Sequence, residues 1–357
     1  MMLAMKVPGF DDIFFYRNML GANCVVYAFL RDDGAIDLLD TGIYYIRPVL
    51  SKVLVRMQDD DINFHRVKNI YHTHGHFDHC QADRYIINHS MFDVVKVHCP
   101  AADMWRLLPG NDARQTAYFV EHAARYLPGN FDELFAKSGF GSVRLQFRLF
   151  VSKFMRVPPL EKACLVPLHD GDTVHIGRYK GRVITTGGHS DGHSFFHVAD
   201  NDMLVIGDHD AVNEITCDYR KIIKASAIIR DLDPNVALVG HQGIPSTRAI
   251  VRQRSAIWFI KFQREVDLFL KAAERFDNKL SMTYFLNKIL GYSGKIVWLR
   301  YWAFQNLFVI AKFAQEEGLG NIVYDPETRD LCLELNRAAL REFRDDFEGA
   351  VTRIKNG

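Results

Sequence analysis

Residues 73–79 hold a dense group of metal-binding side chains. They read Thr-His-Gly-His-Phe-Asp-His, so His74, His76, Asp78 and His79 each offer a ring nitrogen or a carboxylate oxygen. Residues two positions apart in an extended chain point to the same side, so His74 and His76 can bind one ion together. If the chain turns after His76, Asp78 and His79 either complete that site or bind a second ion beside it. The segment therefore predicts one or two metal ions.

Three later apolar stretches also lead to residues that bind metals. Loops beyond the carboxyl ends of strands form the sites of α/β sheets, so we expect these residues to reach a common site. They are His189, Asp208 and His241, which end or follow the stretches 181–186, 203–208 and 236–240.

Asp40 and His193 are expected to support the ligands. Asp40 ends the apolar stretch 35–40, and a carboxylate there can accept a hydrogen bond from a ligand histidine and fix its ring. The alternative is an aspartate that only forms a turn. His193 lies shortly after His189, so we expect it to support the ligands, to have a structural role, or to donate to a substrate.

These residues need a scaffold of strands and helices. The apolar stretches 67–71 and 94–98 read as strands, and the stretch 44–58 reads as a helix. Strands and helices in alternation indicate a structure built from layers of both. The fold class predicted from the residues is therefore α/β.

Residues 101–160 interrupt this alternation with helical patterns at 113–127 and 141–155. One interpretation is a helical lid that receives an acyl chain or an anionic group, or that rests on a membrane surface. The other is an ordinary helical insert with a solvated basic face. Between residues 135 and 160 there are five basic side chains and no acidic one: Lys137, Arg144, Arg148, Lys153 and Arg156.

Residues 246–357 have a different pattern. A long helical stretch at 246–276 and another near 296–317 precede a hairpin pattern, which indicates a winged-helix-like region. Nucleic acid is not expected as a partner, because no dense stripe of lysine and arginine accompanies these helices. Aromatic residues at helical spacing, such as Trp258, indicate either a core or the face of a homodimer.

The overall composition argues against several classes of protein. A formal net charge of +1 over 357 residues gives no general attraction for nucleic acid. No stretch of about 18 uncharged apolar residues is present, so no transmembrane segment is predicted. The first residues lack the apolar run of a signal peptide, and the six cysteines form no Cys-x-x-Cys pair. We therefore expect a cytoplasmic protein.

The assembled motifs resemble those of the metallo-β-lactamase superfamily. The resemblance implies an αββα four-layer sandwich in residues 1–245, with 101–160 as a helical lid insert and 246–357 as a mostly helical C-terminal appendage. The motifs occur in the family's order between about residues 15 and 245: Leu39-Asp40-Thr41-Gly42, Thr73-His74-Gly75-His76-Phe77-Asp78-His79, Thr186-Gly187-Gly188-His189-Ser190-Asp191-Gly192-His193, Gly207-Asp208 and Gly240-His241.

The same resemblance implies two divalent metal ions. Zinc is the expected metal, with iron and manganese as alternatives, because all three accept nitrogen and oxygen ligands. The implied ligands are His74, His76 and His189 for one ion, Asp78, His79 and His241 for the other, and Asp208 as the bridge between them.

Two ions about 3.5 to 4 Å apart share one water and lower its pKa, so that a bridging hydroxide forms near neutral pH. Asp78 is then the candidate to orient this nucleophile and to pass a proton to the leaving group. We predict a metal-dependent hydrolase for a small ester, thioester or lactone with an apolar portion and an acyl or anionic group. The alternatives are an iron-dependent oxygenase on the same fold and a regulatory protein with little activity.

Overall fold

The computed structural model describes residues 5–16, 24–44, 47–126, 156–209, 211, 216–241, 244–282, 297–327 and 330–356. The chain divides into two compact units. The sheet unit comprises Met1–Ala113, Ser152–His209 and Ile229–Gln253, and the helical unit comprises Arg114–Val151, Asp210–Ile228 and Arg254–Gly357. The separation of a catalytic region from an accessory region at residue 245 stays a prediction.

The first sheet of the sheet unit contains, in order of pairing, β1 (Met5–Lys6), β2 (Ile13–Tyr16), β3 (Val26–Leu30), β4 (Ile36–Leu39), β5 (Val67–Tyr71), β6 (Lys96–Pro100) and β7 (Leu165–Leu168). Strands β1 to β4 pair antiparallel, and β4 to β7 pair parallel. The carboxyl ends of β4 to β7 therefore lie at one edge. The helices that follow in this part of the chain are α1 (Arg47–Asp59), α2 (Phe77–Cys80), α3 (Asp83–His89) and α4 (Asn111–Ala124).

The second sheet contains β8 (Thr173–Ile176), β9 (Tyr179–Thr185), β10 (Ser194–Val198), β11 (Met203–Gly207), β12 (Val236–Val239) and β13 (Ser246–Thr247), paired in this order. Strands β11 and β12 are parallel and are joined through α5 (Tyr219–Leu232), whereas the other pairs are antiparallel. The parallel pair brings the ends of β11 and β12 to the same edge of this sheet.

Two buried cores show how the sheet unit is layered. One core contains Tyr27 and Phe29 of β3 together with Phe196 of β10, so it fills the space between the two sheets. The other contains Ala28 of β3 and Met57 of α1, so it lies between the first sheet and its helices. Side chains alternate between the faces of a strand, which explains why Tyr27 and Phe29 point to one core and Ala28 to the other.

The helical unit has a core of its own, which includes Phe262, Phe308, Phe313 and Phe343. Trp258, predicted to belong to a core or a dimer face, lies in this core. In the three-stranded sheet of this region, β16 pairs with both other strands. The elements are α6 (Arg248–Arg275), β14 (Lys279–Ser281), α7 (Val297–Glu316), β15 (Gly320–Asp325), β16 (Asp330–Leu335), α8 (Arg337–Asp345) and α9 (Phe347–Asn356).

The structure confirms the predicted α/β sandwich with a helical insert and a mostly helical C-terminal region. The helix predicted at 113–127 corresponds to α4. The helix predicted at 141–155 lies outside the described residues, as do four of the five basic side chains of the insert, so the lid stays a prediction. Within the described ranges, no helix is long and apolar enough to span a membrane.

Candidate metal centre

The loop after β5 changes direction at His76. This residue has an extended backbone, with φ −71° and ψ 152°, and directly precedes α2. His74 and His76 therefore belong to the extended part of the loop, while Asp78 and His79 belong to the first turn of the helix. Because of this change from extended chain to helix, one short segment presents side chains to two neighbouring points.

The first group of donor atoms comes from His74, His76 and His189, all of them buried. Nε2 of His189 lies 2.9 Å from Nδ1 of His76 and 3.2 Å from Nε2 of His74. Tetrahedral Zn–N bonds of about 2.0 to 2.1 Å separate the ligand nitrogens by roughly 3.3 Å. The three ring nitrogens therefore have the spacing of ligands that share one ion.

The second group contains Asp78, His79 and His241. Nε2 of His241 lies 3.1 Å from Oδ2 of Asp78 and 3.3 Å from Nε2 of His79. Oδ2 of Asp208 lies 3.1 Å from Nε2 of His241 and 3.3 Å from Nε2 of His79. The same oxygen is 3.6 Å from Nε2 of His189 in the first group. Asp208 thus lies between the two groups.

The surroundings of Asp208 also fit a cation. Its side chain is 2% exposed, and its Oδ1 accepts no hydrogen bond from the residues that the structure describes. A Cβ atom on Gly240 would lie 1.9 Å from this Oδ1, so only glycine fits beside the carboxylate. A buried carboxylate oxygen without a hydrogen bond is costly unless a cation compensates its charge.

Charge in the site is distributed between neutral and ionised groups. Burial, with nearby imidazole rings, lowers the pKa of His74 well below its usual value, so its ring is neutral and offers a lone pair. Burial opposes ionisation of Asp208, but His241 and His79 outweigh it and hold the pKa of this carboxyl well below its usual range. Burial also opposes protonation of His241, yet Asp208 and Asp78 raise its pKa to about 10. A divalent cation can replace the protons of such pairs, and metal binding then releases them.

Asp40 lies behind the ring of His79, on the side away from the donor groups. Its Oδ2 is 2.8 Å from Nδ1 of His79, and its Oδ1 is 3.1 Å from Nδ1 of His72. A carboxylate only accepts hydrogen bonds, so Nδ1 of His79 donates to Asp40 and Nε2 is the ring nitrogen that faces Asp208 and His241. Nε2 of His72 is in turn 2.9 Å from Oδ2 of Asp83. The orientation of His79 therefore rests on a buried chain of three further side chains.

His193 is fully buried beside the two groups of donor atoms and belongs to neither. Its Nδ1 lies 2.8 Å from Oγ1 of Thr186, and its ring centroid is 5.5 Å from that of His74 and 5.7 Å from that of His189. Its Nε2 has no hydrogen bond to any described residue. The contacts fit a supporting role for His193 in the wall of the site.

Burial also disfavours the cysteine near the site as a metal ligand. Cys24 lies near Asp40 and His79 and is fully buried. Burial raises the pKa of this thiol to about 12, although the neighbouring His79 acts in the opposite direction. The thiolate is the form that binds metals, so Cys24 packs against the site as a neutral side chain.

Sequence reasoning missed three acidic or imidazole groups that hold the site. His72 and Asp83 form the outer part of the hydrogen-bonded chain behind His79, and Asp103 contacts both loops that carry the first group of donor atoms. Asp103 lies three residues after the end of β6, whereas Asp40 and Asp208 directly follow β4 and β11. The position at the end of a strand, which singled out Asp40 and Asp208, was therefore a weaker signal for Asp103.

Comparisons with known proteins concern the family and the fold of this chain. A model of the metallo-β-lactamase superfamily matches residues 17–243. Among solved structures, a metallo-β-lactamase family protein from Thermus thermophilus is 19% identical, with a TM-score of 0.67, and the match covers 91% of this chain and 99% of that one. A β-lactamase domain protein from Burkholderia ambifaria is 15% identical, with a TM-score of 0.66 and 92% of each chain covered. At these identities the likeness concerns the fold. No curated protein matches the sequence significantly.

Proposed function

This chain belongs to the metallo-β-lactamase superfamily, and from that premise we propose that it is a dinuclear-metal hydrolase of an ester, thioester or lactone. Members of the superfamily are mostly hydrolases, although some are not hydrolytic. The choice among these activities therefore rests on the residues of the site.

The observation that carries the proposal is the position of Asp208 between two groups of donor atoms. Its Oδ2 lies within 3.6 Å of a ring nitrogen of His189 on one side and of His79 and His241 on the other. A single ion needs about four ligands, whereas seven donor side chains converge here. The ligands we propose are His74, His76 and His189 for one ion, Asp78, His79 and His241 for the other, and Asp208 for both.

Zinc is the proposed metal, and iron and manganese accept the same donors. When bound, such ions supply Lewis acidity, which polarises a carbonyl oxygen and lowers the pKa of a bound water. The chain must then provide orientation, a proton acceptor and a route for the substrate.

Asp78 is the residue we assign to proton transfer. Burial opposes its ionisation, but His241 and His79 outweigh this and lower its pKa, so its carboxylate is free of a proton near neutral pH. A positioned carboxylate can take a proton from an attacking water and return it to a leaving group. Its Oδ2 has the spacing of a ligand, 3.1 Å from Nε2 of His241, so its Oδ1 is the oxygen that would carry the proton.

Exposure indicates the side from which a substrate would approach. The side chains of Asp78 and His241 are 15% and 22% exposed, whereas those of His79 and Asp208 are 0% and 2% exposed. A substrate therefore reaches the Asp78 side of the site, where the proton acceptor lies. This arrangement supports the roles of Asp78 as acceptor and of the deeper residues as ligands.

The substrate class is proposed from the composition of the insert. Residues 135–160 combine five basic side chains, no acidic one and many apolar residues. Such a segment suits a small substrate that has an apolar acyl portion and an anionic group. It supports an ester, thioester or lactone rather than a polymeric nucleic acid.

The test combines metal analysis with a substrate panel. Protein purified without added metal is analysed for zinc, iron and manganese, and assayed on acyl esters, acyl thioesters, lactones and phosphodiesters. We expect about two ions per chain and hydrolysis of an acyl substrate. His76→Ala should lose one of the two ions together with activity, whereas His197→Ala, a change on β10 at a histidine outside the ligand set, should lose neither.

Other results would redirect the assignment. Iron with a visible absorption band, oxygen consumption and no hydrolysis would indicate a redox enzyme on the same fold. Two bound metals without turnover on any acyl substrate would contradict the proposed substrate class.

A further inference from the structure

Asp103 connects the two loops that carry the first ligand group. It lies after β6 with its side chain 1% exposed. Its Oδ2 accepts hydrogen bonds from the backbone N–H of Gly75 at 2.9 Å and from Oγ of Ser190 at 2.6 Å. Its Oδ1 accepts a third from the N–H of Gly192 at 3.1 Å. Both oxygens of this buried carboxylate therefore hold loops of the site.

The donors are placed directly beside metal-binding residues. Gly75 lies between His74 and His76 in the chain, and Ser190 follows His189. The carboxylate consequently ties the segment that carries His76 to the segment that carries His189. Nδ1 of His76 and Nε2 of His189 are 2.9 Å apart.

Gly75 and Gly192 both lie where a side chain would collide with Asp103. A Cβ atom on Gly75 would lie 3.0 Å from Cβ and from the carbonyl oxygen of Asp103, and one on Gly192 would lie 2.7 Å from its Cγ. Neither glycine is needed here for a left-handed backbone, because neither has a positive φ. The close approach of the two loops to Asp103 accounts for glycine at both positions.

We propose that Asp103 is a positioning residue that sets the distance between His76 and His189 and thereby the affinity of the site that His74 completes. This inference rests on the proposed two-metal site, but it assigns a role to a residue outside the ligand set. A carboxylate is needed because its two acceptor oxygens receive three donors. In Asp103→Asn, one oxygen becomes an NH₂ group, so at least one of the three hydrogen bonds is lost whichever way the amide turns.

A matched control is available at Asp37. This aspartate is also fully buried in the sheet unit and also receives three hydrogen bonds: from Nη1 of Arg31 at 2.9 Å, from Nδ2 of Asn69 at 2.7 Å and from the N–H of Gly177 at 2.8 Å. None of its partners is a predicted ligand. Asp37→Asn therefore measures the loss of a buried carboxylate network without a change at the ligand loops.

The experiment measures zinc affinity by competition with a chromophoric chelator, together with the absorption spectrum of the cobalt-substituted protein and its thermal unfolding. Partners behind metal ligands typically change affinity about 10- to 100-fold when they are removed. We expect Asp103→Asn to weaken one ion by that factor, to alter the cobalt spectrum and to leave the other ion bound. Asp37→Asn should lower the unfolding temperature but keep wild-type affinity and spectrum. Ser190→Ala, which removes one donor and retains the carboxylate, should lie between wild type and Asp103→Asn.

Wild-type affinity and an unchanged spectrum in both Asp103→Asn and Ser190→Ala would overturn the inference. Equal losses of affinity in Asp103→Asn and Asp37→Asn would overturn it as well, because general destabilisation would then explain both. Failure of the proposed function has a different signature, which is an absence of hydrolysis or of a second ion in the wild-type protein before any variant is compared.

Discussion

Asp40 combines an unusual backbone conformation with two hydrogen bonds at the site. Its φ of 58° lies in the left-handed region, which aspartate and asparagine tolerate better than most residues. Asp40→Asn should therefore keep the backbone, while its amide can accept from only one of the rings of His72 and His79. We expect zinc affinity at the site of His79 to fall about 10- to 100-fold, measured by chelator competition.

Asp61 provides the control for this change. It has a similar φ of 61°, but it is exposed and belongs to the turn after α1. Asp61→Asn should leave both metal affinity and activity at wild-type values. A comparable loss of affinity in both variants would show that the left-handed backbone, rather than the hydrogen bond to His79, is what the site depends on.

Asp208 should differ from the other ligands in the number of ions that it affects. Its Oδ2 lies near His189 and also near His79 and His241, so Asp208→Asn removes a negative charge shared by both groups. We expect this variant to retain fewer than one ion per chain, whereas His76→Ala should retain one. Elemental analysis after gel filtration distinguishes the two outcomes. Equal retention in both variants would contradict the bridging position of Asp208.

At the residue scale, the sequence predicted the donor side chains that the structure brings together better than the residues behind them. His74, His76, Asp78 and His79 form a pattern because four donors fall within one short segment. Asp103 could not be recognised in this way, because two of its three partners are backbone N–H groups. A backbone donor leaves no trace in the residue types of a sequence, so such contacts emerge only from the folded chain.

At the scale of the elements, the ends of β11 and β12 determine where Asp208 lies. The N–H of Gly240 donates to the carbonyl of Gly207 at 2.9 Å, and the Cβ of an alanine at 240 would lie 1.9 Å from Oδ1 of Asp208. Gly240→Ala should therefore displace the carboxylate, so that metal is lost while most of the fold remains. Circular dichroism and elemental analysis on the same sample test this expectation.

Gly110→Ala is the comparison for this substitution. Gly110 has a φ of +82°, and a Cβ atom there would meet no heavy atom within 4 Å. The variant should therefore lose only the free energy of holding alanine in a left-handed backbone, about 1 to 2 kcal/mol. It should keep its metal. Loss of metal in Gly110→Ala as well would indicate that the site responds to stability in general.

Strand prediction succeeded where burial leaves a pattern and failed where it does not. The stretches 67–71 and 203–208 correspond to β5 and β11, because core residues mark a strand of this length in its sequence. β1 and β13 have only two residues each, and β13 occupies the first positions of the helix predicted at 246–276. A strand of two residues is too short to show an alternation of apolar and polar side chains. The pairing of β1 with β2 and of β13 with β12 therefore depends on the neighbouring strand.

At the scale of the whole molecule, metal binding should stabilise one unit selectively. The predicted ligands all belong to the sheet unit, whereas the core around Phe262 and Phe308 belongs to the helical unit. Without a cation, the buried Oδ1 of Asp208 in the sheet unit has no hydrogen bond from a described residue to compensate its charge.

Chelation should therefore loosen the strands that carry the site and leave the helical unit unchanged. A ligand at about 100 times its dissociation constant stabilises the folded state by roughly 2.7 kcal/mol, so its removal should raise local opening by about two orders of magnitude. Hydrogen exchange with and without EDTA measures this, peptide by peptide. We expect faster exchange in β5, β11 and β12, constant exchange in β15 and β16, and full reversal when zinc is restored. The Asp208→Asn variant should exchange rapidly with or without EDTA. Equal acceleration in β15 and β16 would mean that the two units unfold together, and constant exchange throughout would mean that no metal stabilises this fold.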